Sequence, residues 1–111
     1  MTDEKKSGRA RALIQKLAAN FVKREVDAAQ TLTTVTRVEI SPSFKEARIF
    51  VSVWPENEEK EVESQLENLR HEFYEYMKKN LKIKYMPIFD FKIDEGEKAR
   101  QRVEEVLREN K

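Results

Sequence analysis

The chain has 111 residues, 39% of them charged, with a net charge of +1, no cysteine and two glycines. The lack of cysteine excludes disulfides and thiol chemistry, and no apolar run approaches the roughly 18 residues needed to cross a bilayer. A chain of this length buries roughly two thirds of the surface its unfolded form exposes, so a single domain over residues 1–111 is expected, its core filled from six Phe, three Tyr and one Trp.

The amino-terminal stretch "MTDEKKSGRAR" has no apolar block behind it, and Asp3 and Glu4 are unlike the acid-poor presequences of organelles. A soluble, cytoplasmic protein is expected. The small net charge hides a segregation: residues 1–50 carry +4, 54–67 carry −5, 68–92 carry +3 and 93–111 carry −1. Such a chain can present basic and acidic faces separately, the competing reading being an accidental order of solvated faces.

Leu13, Ile14, Leu17, Ala18, Phe21 and Val22 recur on one helical face and predict a first helix over residues 8–26, with Arg9, Arg11, Lys16, Lys23 and Arg24 outside the apolar stripe. The polar "DAAQ" then breaks the pattern. A period of two predicts a strand over 33–41, with Thr34, Thr36, Val38 and Ile40 on one side and Val35, Arg37 and Glu39 on the other. "SPSFKE" is a turn, and a second strand over 46–54 sets Ala47, Ile49, Val51 and Val53 against Arg48, Phe50, Ser52 and Trp54. The two strands form an antiparallel hairpin whose outer face holds Arg37, Arg48, Phe50 and Trp54. Those side chains could meet RNA bases, or be packed at an edge.

Asn57 is expected to cap a helix whose first turn is acidic and whose stripe of Val62, Leu66, Leu69, Phe73, Met77 and Leu81 continues to about residue 80. With neither Gly nor Pro inside it, this helix is expected to run unbroken or gently bent from Asn57 to Asn80. Pro87 precedes a third strand over 88–94, with Phe89, Phe91 and Ile93 inward. Asp94 and Glu97 resemble a capping box for a last helix striped by Ala99, Val103, Val106 and Leu107. The order is α-β-β-α-β-α.

Enzymatic readings fail on inventory. His71, the one histidine, lies in a charged helical turn, and Gly8 and Gly96 cannot build a phosphate loop or a dinucleotide fingerprint. No cofactor or metal is expected. Lys78, Lys79, Lys82 and Lys84 stand out, interleaved with Tyr74, Tyr76 and Tyr85. Lysines neutralise phosphates and aromatic rings stack on bases, which is what RNA binding requires. Complementation of the helix dipole is the competing account of Lys78 and Lys79, but it does not reach Lys82 and Lys84.

Several stretches together resemble the ribosome-binding factor A family: "RARALIQKLAANFVKREV", "TTVTRVEISPSFKEARIFVSV" and "LRHEFYEYMKKNLKIKYMPIFDFKID". The resemblance implies an α+β, KH-like (type II) fold, a three-stranded sheet covered on one face by helices. It also implies a non-catalytic assembly factor that binds the immature small (30S) ribosomal subunit and its 16S rRNA late in maturation. Release would be aided by a ribosome-associated GTPase, and the factor is expected to act as a monomer away from membranes. Arg9, Arg11, Arg70, Lys78, Lys79, Lys82 and Lys84 are the expected RNA contacts. The family's alanine-x-glycine helix kink is replaced here by Gln65, Leu66 and Glu67, so no RNA contact is expected there. The residues leave two alternatives open, a KH-like module acting on another RNA and a small protein-interaction domain.

Overall fold

The computed structural model describes the backbone of residues 2–26 and 31–109 and the side chains of 8–26 and 31–108; the "DAAQ" break lies outside the described residues. Helix α1 (Thr2–Glu25) is followed by strands β1 (Leu32–Ile40) and β2 (Glu46–Trp54), a 3-10 turn (Glu56–Glu58) and helices α2 (Glu59–Asn68) and α3 (Arg70–Asn80). Strand β3 (Ile88–Ile93) and helix α4 (Glu95–Glu109) complete the order. β2 is the central strand, antiparallel to β1 and parallel to β3. Among the described residues no helix is long and apolar enough to cross a membrane.

The core lies between the inner face of this sheet and α1, α2 and α3. Ile14, Ala18, Phe21 and Val22 of α1 are buried, as the helical spacing requires, and Ala47, Ile49, Val51 and Val53 alternate inward along β2. Phe73 of α3 is fully buried, its ring centroid 5.0 Å from that of Phe21, 5.2 Å from Phe89 and 5.0 Å from Phe91, each pair edge-to-face. This ring cluster joins α1, α3 and β3.

Several expectations are corrected. The pairing of β1 with β2 slips between Val35 and Arg37, leaving Thr36 as the extra residue of a β-bulge. The bulge resets the alternation, so Val35 and Val38 both face the core, although a strict period of two places them on opposite sides. The long helix is not continuous. Leu69, at φ −93° and ψ 3°, leaves the helical region, and its N–H is shared between the carbonyls of Gln65 at 3.0 Å and Leu66 at 3.2 Å. The bend lets Val62 and Leu66 pack over β2 and β3 while Phe73 and Met77 reach α1, so tertiary packing overrides an uninterrupted local pattern. Asn57 does not cap a helix; it is exposed within the 3-10 turn, and no side chain caps the start of α2. The stripe of α4 is not part of the core either: Ala99, Val103, Val106 and Leu107 are all exposed.

α4 is instead tethered through its polar side. Lys98 Nζ lies 3.0 Å from Glu59, and Arg102 lies 2.9 Å from Glu56. Asp94, 5% exposed, anchors its start. Its Oδ1 accepts from the Glu97 N–H at 3.1 Å, and its Oδ2 accepts from the Thr36 hydroxyl at 2.6 Å and from Arg37 Nε at 3.3 Å. Only half of the expected capping box forms, because the Asp94 N–H donates to Val51 O and the Glu97 carboxylate turns to Arg100. Burial pushes the Asp94 carboxyl up, but the hydrogen bonds from Thr36, Glu97 and Arg37, with the Arg37 charge, outweigh it and hold the group below the ordinary carboxylate range.

Phe73→Ala is expected to destabilise the fold by about 3–5 kcal/mol, as a large-to-small core change measured by urea unfolding. Asp94→Asn should cost about 1–3 kcal/mol near neutral pH, since it unbalances a buried hydrogen-bonded group. A depressed folded pKa contributes stability that is complete above the ordinary value of about 3.9 and is lost as pH falls through the lower folded value. The stability gap between wild type and Asp94→Asn should therefore be flat above about pH 5 and narrow below about pH 4. A gap independent of pH down to unfolding would show that the Asp94 charge contributes nothing.

Candidate nucleic-acid interface

The basic segment begins where α3 ends. Lys78 and Lys79 are exposed in its last turn, and the Asn80 side-chain amide donates to Tyr76 O at 2.7 Å, closing the helix. Buried Leu81 and Pro87 then pin the two ends of the following segment, so Lys82, Ile83, Lys84 and Tyr85 are held outward between two fixed points. Tyr85 is 76% exposed, with Lys84 Nζ 5.6 Å from its ring centroid. Lys78, Lys79, Lys82 and Lys84 form no ion pair among the described residues.

Across from this segment lie α1 and the β1–β2 turn. The three elements enclose a groove of about 780 Å³, with Arg9 and Leu13 from α1, Pro42 and Phe44 from the turn and Lys82 and Ile83 from the third side. Among the described residues no acid lines it. Leu13, placed in the core by its spacing, is 43% exposed here. The turn owes its shape to Ser41, whose hydroxyl accepts from the Glu46 N–H at 3.0 Å and whose carbonyl accepts from the Phe44 N–H at 2.9 Å. This forces Phe44 to φ 61°, a left-handed conformation that costs an L-residue about 1–2 kcal/mol. Its side chain is 37% exposed on the groove.

Of the expected contacts, the structure brings Arg9 and Lys82 to one groove, with Lys78, Lys79 and Lys84 on the segment around it. Arg11 is exposed two positions past Arg9, about 200° around α1, and so faces another direction. Arg70 sits at the other end of α3, about 14 Å along the axis from Lys79. Its guanidinium pairs with Glu67 at 3.1 Å and reaches Phe89 O at 3.4 Å. Of the interleaved tyrosines, Tyr76 packs on Phe21 at 5.3 Å beneath Arg24, and Tyr74 lies with Arg70 and His71. Tyr85 stands beside Lys84 beyond the helix, and Tyr74, also exposed, precedes Lys78 by one turn on the same face of α3. Sequence pattern did not single out Phe44 or Ile83, although a bulky aromatic inside a polar turn is a readable signal.

On the outer face of the sheet both arginines are paired with acids, while Lys92 forms no ion pair among the described residues. Arg37 lies 3.7 Å over the Phe50 ring and bonds both Glu39 and Asp94; the Glu39 hydrogen bond first, then the Asp94 one, raises the guanidinium pKa above its ordinary value. Arg48 Nε lies 3.4 Å from Asp90. The acidic α2 end is likewise offset by α4: the Arg102 hydrogen bond lowers the Glu56 carboxyl, and the Glu59 hydrogen bond raises the Lys98 ammonium. The lysines at the end of α3 and beyond it thus form a concentrated group of unpaired charge at one end of the molecule.

A sequence profile of the ribosome-binding factor A family matches residues 6–107. The chain belongs to this family. Ribosome-binding factor A of Opitutus terrae is 26% identical over 106 residues, covering 91% of this chain and 84% of the relative. That of Chlamydia pneumoniae is 29% identical over 111 residues, covering 96% and 92%. The crystal structure of ribosome-binding factor A from Thermus thermophilus superimposes with a TM-score of 0.69 over 78% of this chain and 93% of that one, at 16% identity. A solution structure of a Thermotoga maritima protein, described as a putative ribosome binding factor A, gives 0.63 over 77% and 83%, at 27% identity. The fold is the KH-like α+β arrangement that the resemblance implied.

Asn is the residue besides Gly that adopts the left-handed region most readily. Phe44→Asn is therefore expected to leave folding stability unchanged or to raise it by up to about 1 kcal/mol, measured by thermal unfolding. A clear loss of stability would mean that the Phe44 ring is needed by the core.

Proposed function

We propose that this chain is a ribosome assembly factor that binds the immature small (30S) subunit through its 16S rRNA during late maturation, as one domain over residues 1–111 and without catalysis. The observation that carries the reading is the group of cations that form no ion pair among the described residues, Lys78, Lys79, Lys82 and Lys84 with Arg9 opposite, in a member of a family whose relatives bear the name ribosome-binding factor A. Each ammonium that meets a phosphate releases a condensed counterion, so affinity follows the number of contacts and falls with salt. Arg11 and Arg70 contribute at the margins, on the other side of α1 and the far end of α3. The factor favours one rRNA arrangement by binding it more tightly than the alternatives, which is sufficient to shift a population of subunits. Its release in concert with a ribosome-associated GTPase is part of the same reading.

In co-sedimentation with immature small subunits, Lys82→Glu/Lys84→Glu should flatten the slope of log affinity against log salt by about 1.5 to 2, at roughly 0.7 to 0.9 for each phosphate left without its lysine. Thermal stability should change by less than about half a kcal/mol, since both side chains are exposed. Lys60→Glu, within the acidic segment, serves as the control and should bind as wild type. Equal affinity and slope for wild type and the double variant would move the RNA surface off this segment.

A further inference from the structure

The groove between α1, the β1–β2 turn and the 81–87 segment holds more than phosphate-binding charge. Its walls are Leu13, Phe44 and Ile83, all partly exposed apolar side chains, and its rim carries Arg9 and Lys82. A lysine-rich surface that only neutralised a duplex backbone would have no use for apolar walls. A purely apolar protein segment would leave Arg9 and Lys82 without a counter-charge, since among the described residues no acid lines the groove or pairs with either. We infer that the groove seats one unpaired nucleotide of the RNA, its base stacked on Phe44 and its phosphate held by Arg9 and Lys82. This deepens the reading of the chain as an rRNA-binding factor and rests on it.

Each part of the groove answers a part of a nucleotide. Sequence-specific RNA recognition mostly uses splayed, unstacked bases laid on aromatic faces. Phe44 presents its ring from a left-handed backbone position that the Ser41 hydrogen bonds impose, so the ring is placed by the turn and not by core packing. A bulky residue placed at a conformation that disfavours it points to use of its side chain. Asn80 also lines the groove; one of its amide N–H groups is taken by Tyr76 O, which leaves the amide oxygen and the second N–H for a base edge. The volume of about 780 Å³ lies within the roughly 300–1,000 Å³ of ligand seats. Tyr85, 76% exposed beside Lys84, offers an adjacent ring for the next base along the strand.

The test uses the full chain with two probes, immature small subunits and a single-stranded hexaribonucleotide carrying one 2-aminopurine. Wild type should quench the 2-aminopurine fluorescence on binding, and Phe44→Tyr should do the same. Phe44→Asn, which keeps the turn, should lose the quenching and weaken subunit binding by about 5- to 150-fold, the range for one base–aromatic stack. Its salt slope should match wild type, because no phosphate contact is removed, whereas Lys82→Glu/Lys84→Glu changes the slope. If Phe44→Asn binds subunits like wild type while the lysine variant is impaired, the groove holds no base although the rRNA reading survives. If both variants bind like wild type, the rRNA reading falls on this surface and the nucleotide seat falls with it. Weakened subunit binding by Phe44→Asn without any ring-dependent quenching would give the groove to a protein segment and overturn the proposal.

Discussion

The edge-to-face contacts of Phe73 set α1, α3 and β3 against one another. The ring touches Phe21 from α1 and both Phe89 and Phe91 from β3, so three elements far apart in the chain share one buried side chain. Aromatic pairs of this geometry contribute about 0.5–1.5 kcal/mol beyond their area, and they also fix angles, which simple apolar burial does not. Because α1 and α3 are set against each other there, Arg9 of α1 faces the segment that leaves α3, and the groove has a fixed width. The bend at Leu69 belongs to the same constraint. A straight continuation of α2 would carry Phe73 away from α1, and the one residue that leaves helical geometry is the cheapest place to turn.

A second knot closes the opposite end. Thr36, made available by the β1 bulge, donates to Asp94 at the end of β3, and the same carboxylate starts α4 and receives Arg37. One buried group therefore ties both edge strands of the sheet to the last helix. The bulge is an essential part of it: without the extra residue, Val35 and Val38 would lie on opposite sides of the sheet, and Thr36 and Arg37 could not both turn to Asp94. α4 is thus positioned by its first turn and by two ion pairs to the acidic end of α2, while its apolar stripe stays free of the core.

Where local pattern and tertiary demand agree, the residues announced the structure. The alternation of Ala47, Ile49, Val51 and Val53, the stripe of Ile14, Ala18, Phe21 and Val22 and the inward Phe89 were all readable because a strand or helix face buried on one side must repeat with its own period. The bulge at Thr36 and the bend at Leu69 were not, since neither is marked by Gly or Pro and both answer partners distant in the chain. The Thr36 hydroxyl meets a carboxylate 58 positions away, and the bend turns Phe73 toward Phe21. The α4 stripe shows the converse limit. Periodicity says which face a helix would bury and says nothing about whether a surface is there to receive it. For the candidate site, the lysine cluster was legible as composition, but its union with Arg9, Leu13 and Phe44 depends on how α1 crosses the sheet. Arg70 joined the expected contacts with the family resemblance, and the length of α3 separates it from the lysines.

The bend without a glycine bears on where such a chain can meet RNA. A glycine at a helix junction lets a backbone approach a phosphate closely, since no Cβ stands in the way. Here the junction carries Gln65, Leu66 and Glu67 before Leu69, with Leu66 buried and Glu67 paired to Arg70. The helix bends here without the chemistry of an anion site: the Glu67 carboxylate stands at the junction, and Arg70 is engaged with it. On the proposed reading, the contact with RNA is therefore displaced along α3, from the helix junction to the far end where the C-terminal dipole, four lysines and an opposing arginine act together. The dipole's negative end holds the lysines of the last turn in place, and those beyond it extend the positive surface. The acidic segment 54–67 lies away from that end; Glu56 and Glu59 are paired with α4, but Glu58, Glu61 and Glu63 are unpaired among the described residues, and on this reading their repulsion of phosphate opposes binding in the reversed orientation. On the proposed reading, attraction at one pole and repulsion at the other orient the molecule before any specific contact forms.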